Sequence, residues 1–202
     1  LTIPCAYALS KKKIYGNRFI MKMFIFPMFF SGGLIPSFIL MRSLGLINTW
    51  WVVPINGAVS TSNLIIARSF FSSGVPRELE ESAEIDGASI LQTFLKIVLP
   101  LSKAMLSVIT LYYAVGQWNS YFNAMIFLQD EAMYPLQLVL KEILIATEST
   151  VGGSGETILE QYRTATQLKY VSVIVSSLPV LMLYPFVQKY FAQGVMIGSL
   201  KG

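Results

Sequence analysis

The chain has no histidine and a single cysteine, Cys5. Those two shortages remove histidine-based metal sites, Ser-His-Asp and Cys-His catalytic pairs, Cys-rich zinc sites and any internal disulfide. Charge is scarce as well: Asp, Glu, Lys and Arg make up 13% of the 202 residues, against about 25% in soluble domains. Apolar residues reach 54%, which is the composition of a membrane protein. The 15 basic and 11 acidic residues leave +4 and a pI near 9.1. The basic residues are not gathered on one polar element, so no nucleic-acid partner is expected.

The first stretch, Leu1 to Leu9, is too short to cross about 30 Å of hydrocarbon. It reads as the tail of a truncated helix, with at least one further span expected upstream. Lys11, Lys12 and Lys13 follow the apolar run instead of preceding it, which does not fit a cleaved targeting segment.

Four charge-free stretches have spanning length: Met23 to Met41, Ser43 to Ala67, Ala104 to Gln129 and Tyr170 to Gln188. The first carries Pro27, Gly32, Gly33 and Pro36, so a bent helix is expected. Trp50 and Trp51 stand near the start of the second, where amphipathic rings favour the headgroup layer. Orientation follows from Lys and Arg. Lys11, Lys12, Lys13, Arg18 and Lys22 precede the first span; Arg68, Arg77, Lys96 and Lys103 lie between the second and third; Lys189 and Lys201 follow the last. These regions belong inside the cell. Arg42 alone separates the first two spans, and Lys141, Arg163 and Lys169 are diluted by six acidic residues between the third and fourth, so those regions belong outside. In that outer segment, Pro135 to Ala146 reads as a short interfacial helix and Thr147 to Gly155 as a flexible loop. With no internal repeat and no dividing linker, the expectation is one all-α, polytopic helical membrane domain over 1–202, truncated at its N-terminus.

The inner loop, Phe70 to Lys103, carries helix signals. Pro76 suits a first helical position, Glu78, Glu80, Glu81 and Glu84 complement a helix dipole, and Asp86-Gly87 supplies a turn. The first helix is expected to end near Ile85. Ser89 with Gln92 has the capping-box form ahead of Phe94, Leu95, Ile97 and Val98, and Pro100 is expected to close the second helix. Periodicity alone leaves two readings open: a solvated loop packed on its own bundle, or a docking element for a partner.

Glu81-Ser-Ala-Glu-Ile-Asp-Gly-Ala88, then Phe94, then Ile97-Val-Leu-Pro100, closely resembles the EAA loop of binding-protein-dependent ABC importer permeases. That motif reads E-A-A, three residues, G, nine residues, I-x-L-P. Glu81, Ala83, Gly87, Ile97, Leu99 and Pro100 fall in register, and Ser82 replaces the central alanine, small for small. Pro76-Arg-Glu-Leu-Glu-Glu-Ser-Ala, Trp118-Asn, Tyr134-Pro-Leu-Gln137 and Gly194-Val-Met-Ile-Gly198-Ser-Leu-Lys-Gly202 resemble the carbohydrate-uptake branch.

The resemblance implies a type I ABC importer transmembrane domain whose coupling helix lies in a cleft of a cytoplasmic ATPase. Its contact residues would be Glu81, Ala83, Asp86, Gly87, Ala88, Phe94, Ile97, Leu99 and Pro100. It also implies a homologous second permease, two cytoplasmic ABC ATPase subunits, an extracytoplasmic solute-binding protein and an oligosaccharide substrate. The tail, with Gly194 and Gly198, would insert at the ATPase interface. Residues 189–202 would otherwise expose much apolar surface, while Gly194, Gly198 and Gly202 weaken a continuous helix.

No span carries an interior Asp, Glu, Lys or Arg, which argues against a proton relay, an ion-coupled carrier or a voltage sensor. The chain has no Walker lysine loop, so it is expected to be no enzyme and to hold no cofactor, with ATP hydrolysed by separate subunits. In the third span, Tyr113, Gln117, Trp118, Asn119 and Asn123 offer rings that stack on sugars and amides that donate and accept, with Asn119 and Asn123 at i and i+4 on one helix face. Interhelical hydrogen bonding is the competing reading for each. Rival functions are a facilitator or channel, which would not need the Glu81 to Pro100 element, a permease of the same family for a non-sugar solute, and a membrane enzyme, for which the spans supply no carboxylate pair or metal ligands.

Overall fold

Regular structure among the described residues is entirely helical. The computed structural model describes residues 1–11, 14–150 and 157–199, with side chains for 1–11, 14–146, 163–185 and 188. In chain order the helices are α1 (Thr2–Ser10), α2 (Asn17–Phe29), α3 (Leu34–Ser43), α4 (Val52–Asn56), α5 (Thr61–Ser73), α6 (Arg77–Ile85), α7 (Ile90–Thr93), α8 (Leu99–Leu101), α9 (Lys103–Trp118), α10 (Tyr121–Phe127), α11 (Leu136–Thr150) and α12 (Thr157–Ser199). A π-helical turn, Phe94–Val98, joins α7 to α8. The chain divides into two compact units. The first comprises Leu1–Ser37, Asn56–Tyr113 and Val187–Gly202, the second Phe38–Ile55 and Ala114–Phe186.

The first unit is built on α1 against α5. Leu64, Ala67 and Phe71 recur at i, i+3 and i+7 and are buried, as are Ala6 and Leu9 of α1, the spacing of one helical stripe. Ala6 and Ala67 let the two backbones approach closely. Phe94, Val98, Met105 and Ile109 complete this core. Tyr7 joins it through an edge contact with Phe71 (centroids 5.6 Å apart) and a tilted stack on Phe94 (4.8 Å).

In the second unit Met41, Val52, Ala124, Phe127, Leu128 and Leu138 form a separate core, with Phe38 stacked on Phe127 at 6.1 Å. Asn48 organises one side of it. Its backbone is left-handed, φ 57°, a conformation asparagine tolerates better than most residues. Its N–H caps the Phe127 carbonyl at 2.9 Å, and its Oδ1 accepts from the N–H groups of Gln129 (2.9 Å) and Asp130 (3.0 Å).

Helix boundaries differ from the hydropathy reading in several places. The stretch 23–41 is broken instead of bent: α2 stops at Phe29 and α3 begins at Leu34. Gly33 between them is left-handed, φ 86°, and Pro36 falls in the first turn of α3, where a missing N–H leaves no intrahelical bond unmade. The stretch 43–67 is not one helix. Turns at residues 44–51 precede α4, and a second break precedes α5. Gly45 (φ 67°) and Asn48 are left-handed, and Ser60 caps a fresh helix by accepting from the N–H of Asn63. Apolar length does not make a span where local turn geometry interrupts it. The stretch 104–129 is likewise divided between α9 and α10, because the amide and hydroxyl of Ser120 both take the Gln117 carbonyl (3.2 and 2.6 Å) in a tight turn.

The stretch 170–188 lies inside α12, a helix of 43 residues that contains Pro179 and Pro185. The helix passes through Gly194 and Gly198 without interruption, contrary to the expected weakening; side chains beyond Gln188 and residues 200–202 lie outside what is described. α11 runs through Thr150, past the expected loop start at Thr147, and 151–156 lie outside the described residues. By length and composition, one helix among the described residues, Arg163–Pro185, can cross a membrane; the pairs Asn17–Phe29 with Leu34–Ser43 and Ile90–Leu101 with Lys103–Trp118 qualify only if each is one broken span.

Candidate functional site

The loop between α5 and α9 owes its shape to local hydrogen bonds. At the end of α6 the N–H of Ala88 donates to the Ala83 carbonyl at 2.9 Å, and the N–H of Gly87 to the Glu84 carbonyl at 3.1 Å. This paired bonding stops a helix at a left-handed residue. Gly87 has φ 77°, which glycine adopts without a Cβ penalty. The spacing from Ala83 to Gly87 is thus a backbone requirement, since the ending bonds the Ala83 and Glu84 carbonyls to the N–H groups of Ala88 and Gly87 and needs the left-handed residue at Gly87. Ser89 then starts the next helix with a reciprocal box: the Gln92 N–H reaches Ser89 Oγ at 3.3 Å and the Ser89 N–H reaches Gln92 Oε1 at 2.9 Å.

Two expected details change. Pro76 is the N-cap of α6, not its first residue. Pro100 does not close the second helix, which runs on to Leu101. The preceding turn is π-helical, with the Leu99 N–H bonded five residues back to Phe94, and this wider turn accommodates a residue without a donor.

Burial sorts the expected coupling residues into two groups. Ala83 and Phe94 are buried, and Phe94 and Leu99 pack in the core of the first unit, where Val98, outside the expected set, joins them and anchors the loop. Phe94 in particular is 8% exposed and stacks on Tyr7; it is not presented outward, as the coupling assignment expected. Glu81, Asp86, Gly87 and Pro100 face outward, with Ala88 and Ile97 half-buried. Around them lie apolar side chains outside the expected set: Ile85 is 86% exposed, Ile90 81% and Leu91 65%. Large aliphatic residues flanking an Asp-Gly turn, where polar ones are usual, were the signal that could have identified them. Glu80 was missed as well. It is less exposed than Glu78, Glu81 or Glu84, pairs with Lys11 of the segment after α1, and accepts from the Tyr7 hydroxyl at 3.5 Å.

The expected path residues do not form one surface on one helix. In the first unit the Tyr113 hydroxyl accepts from the Ser60 N–H at 2.9 Å and bonds Thr2 Oγ1 at 2.6 Å, which is interhelical bonding. In the second unit Trp118 Nε1 donates to the Ser176 carbonyl of α12 at 2.9 Å, where Gln137 Nε2 of α11 also donates, at 3.4 Å. Pro179 lacks the N–H that would bond the carbonyl four residues back, at Val175, which loosens the turn of α12 that holds Ser176. Asn119 lies in the break between α9 and α10 and Asn123 within α10, so the shared i, i+4 helix face does not exist. Gln117 and Asn123 are half-buried and Asn119 is exposed.

Residues 3–197 match the family model described as binding-protein-dependent transport system inner membrane component. Protein LplC of Bacillus subtilis (strain 168) is 42% identical over 201 residues, covering 100% of this chain and 68% of LplC. The polygalacturonan/rhamnogalacturonan transport system permease protein YtcP of the same organism is 42% identical over 202 residues, covering 98% of this chain and 68% of YtcP. Among solved structures, a chain from a bacterial ABC transporter involved in the import of the acidic polysaccharide alginate superposes with a TM-score of 0.79 at 37% identity. It covers 94% of this chain and 67% of that one.

Proposed function

The chain belongs to the family of binding-protein-dependent transport system inner membrane components, and we propose that within its importer the Arg77–Leu101 element docks on the ATPase while the helices pass an acidic oligosaccharide. It is a permease subunit of an ATP-driven ABC importer and not an enzyme; ATP is hydrolysed on separate subunits. Its family works in the inner membrane with a second permease, ATPases and a solute-binding protein.

The observation that carries the docking reading is the exposure of Ile85, Ile90 and Leu91 on either side of a turn whose neighbours Phe94 and Val98 are anchored in the core. An apolar tip held by a buried base fits a cleft on a partner and transmits displacement as a solid body. The acidic substrate class rests on two relatives, one carrying polygalacturonan or rhamnogalacturonan and one alginate. Placing the 70–103 loop and the C-terminus in the cytoplasm follows the eleven Lys and Arg residues assigned inside against four outside. Finer partner assignments follow the family: one homologous permease, two ATPase subunits and an extracytoplasmic binding protein. Gly194 and Gly198 are proposed to meet the ATPase pair.

The test is uptake of oligogalacturonate into proteoliposomes holding the complete transporter, with its binding protein outside and ATP within. ATP-dependent accumulation that fails with a neutral oligomer of equal length is expected. Uptake that needs no ATP would overturn the importer reading, and equal uptake of the neutral oligomer would overturn the acidic class alone.

A further inference from the structure

We propose that the C-terminal end of α1 is the lever through which displacement of α6 reaches the rest of the first unit, with Lys11, Tyr7 and Glu80 as its positioning residues. The proposal rests on reading Arg77–Leu101 as the ATPase-facing element.

Glu80 is the glutamate of α6 turned toward the protein, its side chain 19% exposed. Lys11 bonds it, and the same ammonium lies 4.3 Å from the centroid of the Tyr7 ring, close enough for cation–π attraction. Tyr7 donates to the other carboxylate oxygen while its ring is wedged between Phe71 and Phe94. α6 therefore cannot slide along α1 without parting an ion pair and a hydrogen bond together.

The other side of the same short stretch is tied just as directly. The Leu9 carbonyl accepts from Arg68 Nε of α5 at 2.9 Å and from Asn17 Nδ2 of α2 at 2.7 Å, and Asn17 Nδ2 also reaches the Lys11 carbonyl at 2.9 Å. These bonds satisfy carbonyls left open at the end of α1. Residues 7–11 thus join α6 on one side to α5 and α2 on the other, and a rigid push on α6 has a continuous polar route into both.

The test uses the complete transporter in proteoliposomes, ATP with vanadate as the trapping probe, and maleimide labelling of Cys5. Cys5 is the chain's single cysteine, placed in α1 and half-buried against the same core, so its labelling rate follows movement of α1. Trapping is expected to change that rate by about fivefold or more in the wild type, the lower end of ordinary coupling. Lys11→Ala and Glu80→Gln should abolish the change while ATP hydrolysis and ATPase association persist. The reversed pair, Lys11→Glu with Glu80→Lys, should restore it, which separates loss of the link from loss of folding. A wild type unresponsive to trapping, single variants that respond fully, or a reversed pair no better than the singles would each overturn the proposal. Failure of the docking reading shows differently, as ATPase subunits that do not co-purify with the wild-type chain, and takes the lever with it.

Discussion

The N–H of Ala88 bonds the carbonyl of Ala83 at 2.9 Å, and with the Gly87–Glu84 bond inside it closes the left-handed ending at Gly87 that turns the chain from α6 toward α7. A Cβ on Gly87 would meet nothing within 4 Å. The position is therefore restricted by backbone conformation and not by crowding within the chain.

Gly87→Ala should accordingly cost about 1–2 kcal/mol through left-handed strain alone, read as a lowered melting temperature in detergent. Gly87→Trp adds bulk at the outward tip and should abolish ATP-driven uptake while the protein still inserts. Normal uptake by the tryptophan variant would remove the tip from the docking surface.

Ile90→Asp and Leu91→Asp alter exposed side chains, so stability should change by no more than about 0.5 kcal/mol. Each side chain is worth roughly 1.5–3 kcal/mol if buried by a partner, which corresponds to about a tenfold or greater loss of ATPase-subunit affinity. Titration of labelled ATPase against permease in nanodiscs measures it, and unchanged affinity in both variants would count against docking at this tip.

Phe94→Ala should behave in the opposite way. Removing a buried ring that packs on Tyr7 costs about 3–5 kcal/mol, so loss of thermal stability should dominate. A variant that melts normally but no longer binds the ATPase would return Phe94 to the contact surface.

Tyr113→Phe deletes the hydroxyl shared by Thr2 and Ser60 and should cost about 0.6–2 kcal/mol with no change in the concentration dependence of uptake. Trp118→Phe, which removes the shorter of the two side-chain bonds to the Ser176 carbonyl, should act likewise. A raised KM for the sugar in either variant would show that the side chain also meets substrate.

Asn48→Ala removes the side-chain acceptor of two hydrogen bonds and keeps a left-handed backbone, for an expected cost of about 2 kcal/mol or more. Asn48→Gly relieves the strain but not the lost side-chain acceptor, so it should melt between the alanine variant and the wild type.

The parts of the loop legible in the sequence are those made by neighbours in the chain. Ala83 and Ala88 are linked across Gly87 by a helix ending that spans six residues, and Ser89 with Gln92 close a box across three, so residue type and spacing suffice to specify them. Composition is legible for the same reason: scarce charge and abundant apolar side chains are properties of the chain before it folds. Hydropathy over 43–67 was misleading because it averages away Gly45, Asn48 and Ser60, single residues whose backbone and capping preferences break a helix inside an apolar run. Glu80 and Lys11 stand 69 positions apart, and Trp118 and Ser176 are 58 apart. Nothing local distinguishes Glu80 from Glu81, nor a tryptophan that bonds a carbonyl from one that stacks on sugar. Those roles depend on which helix faces pack together, and only tertiary packing determines which polar group is shielded from water and which partner lies within hydrogen-bonding reach of it.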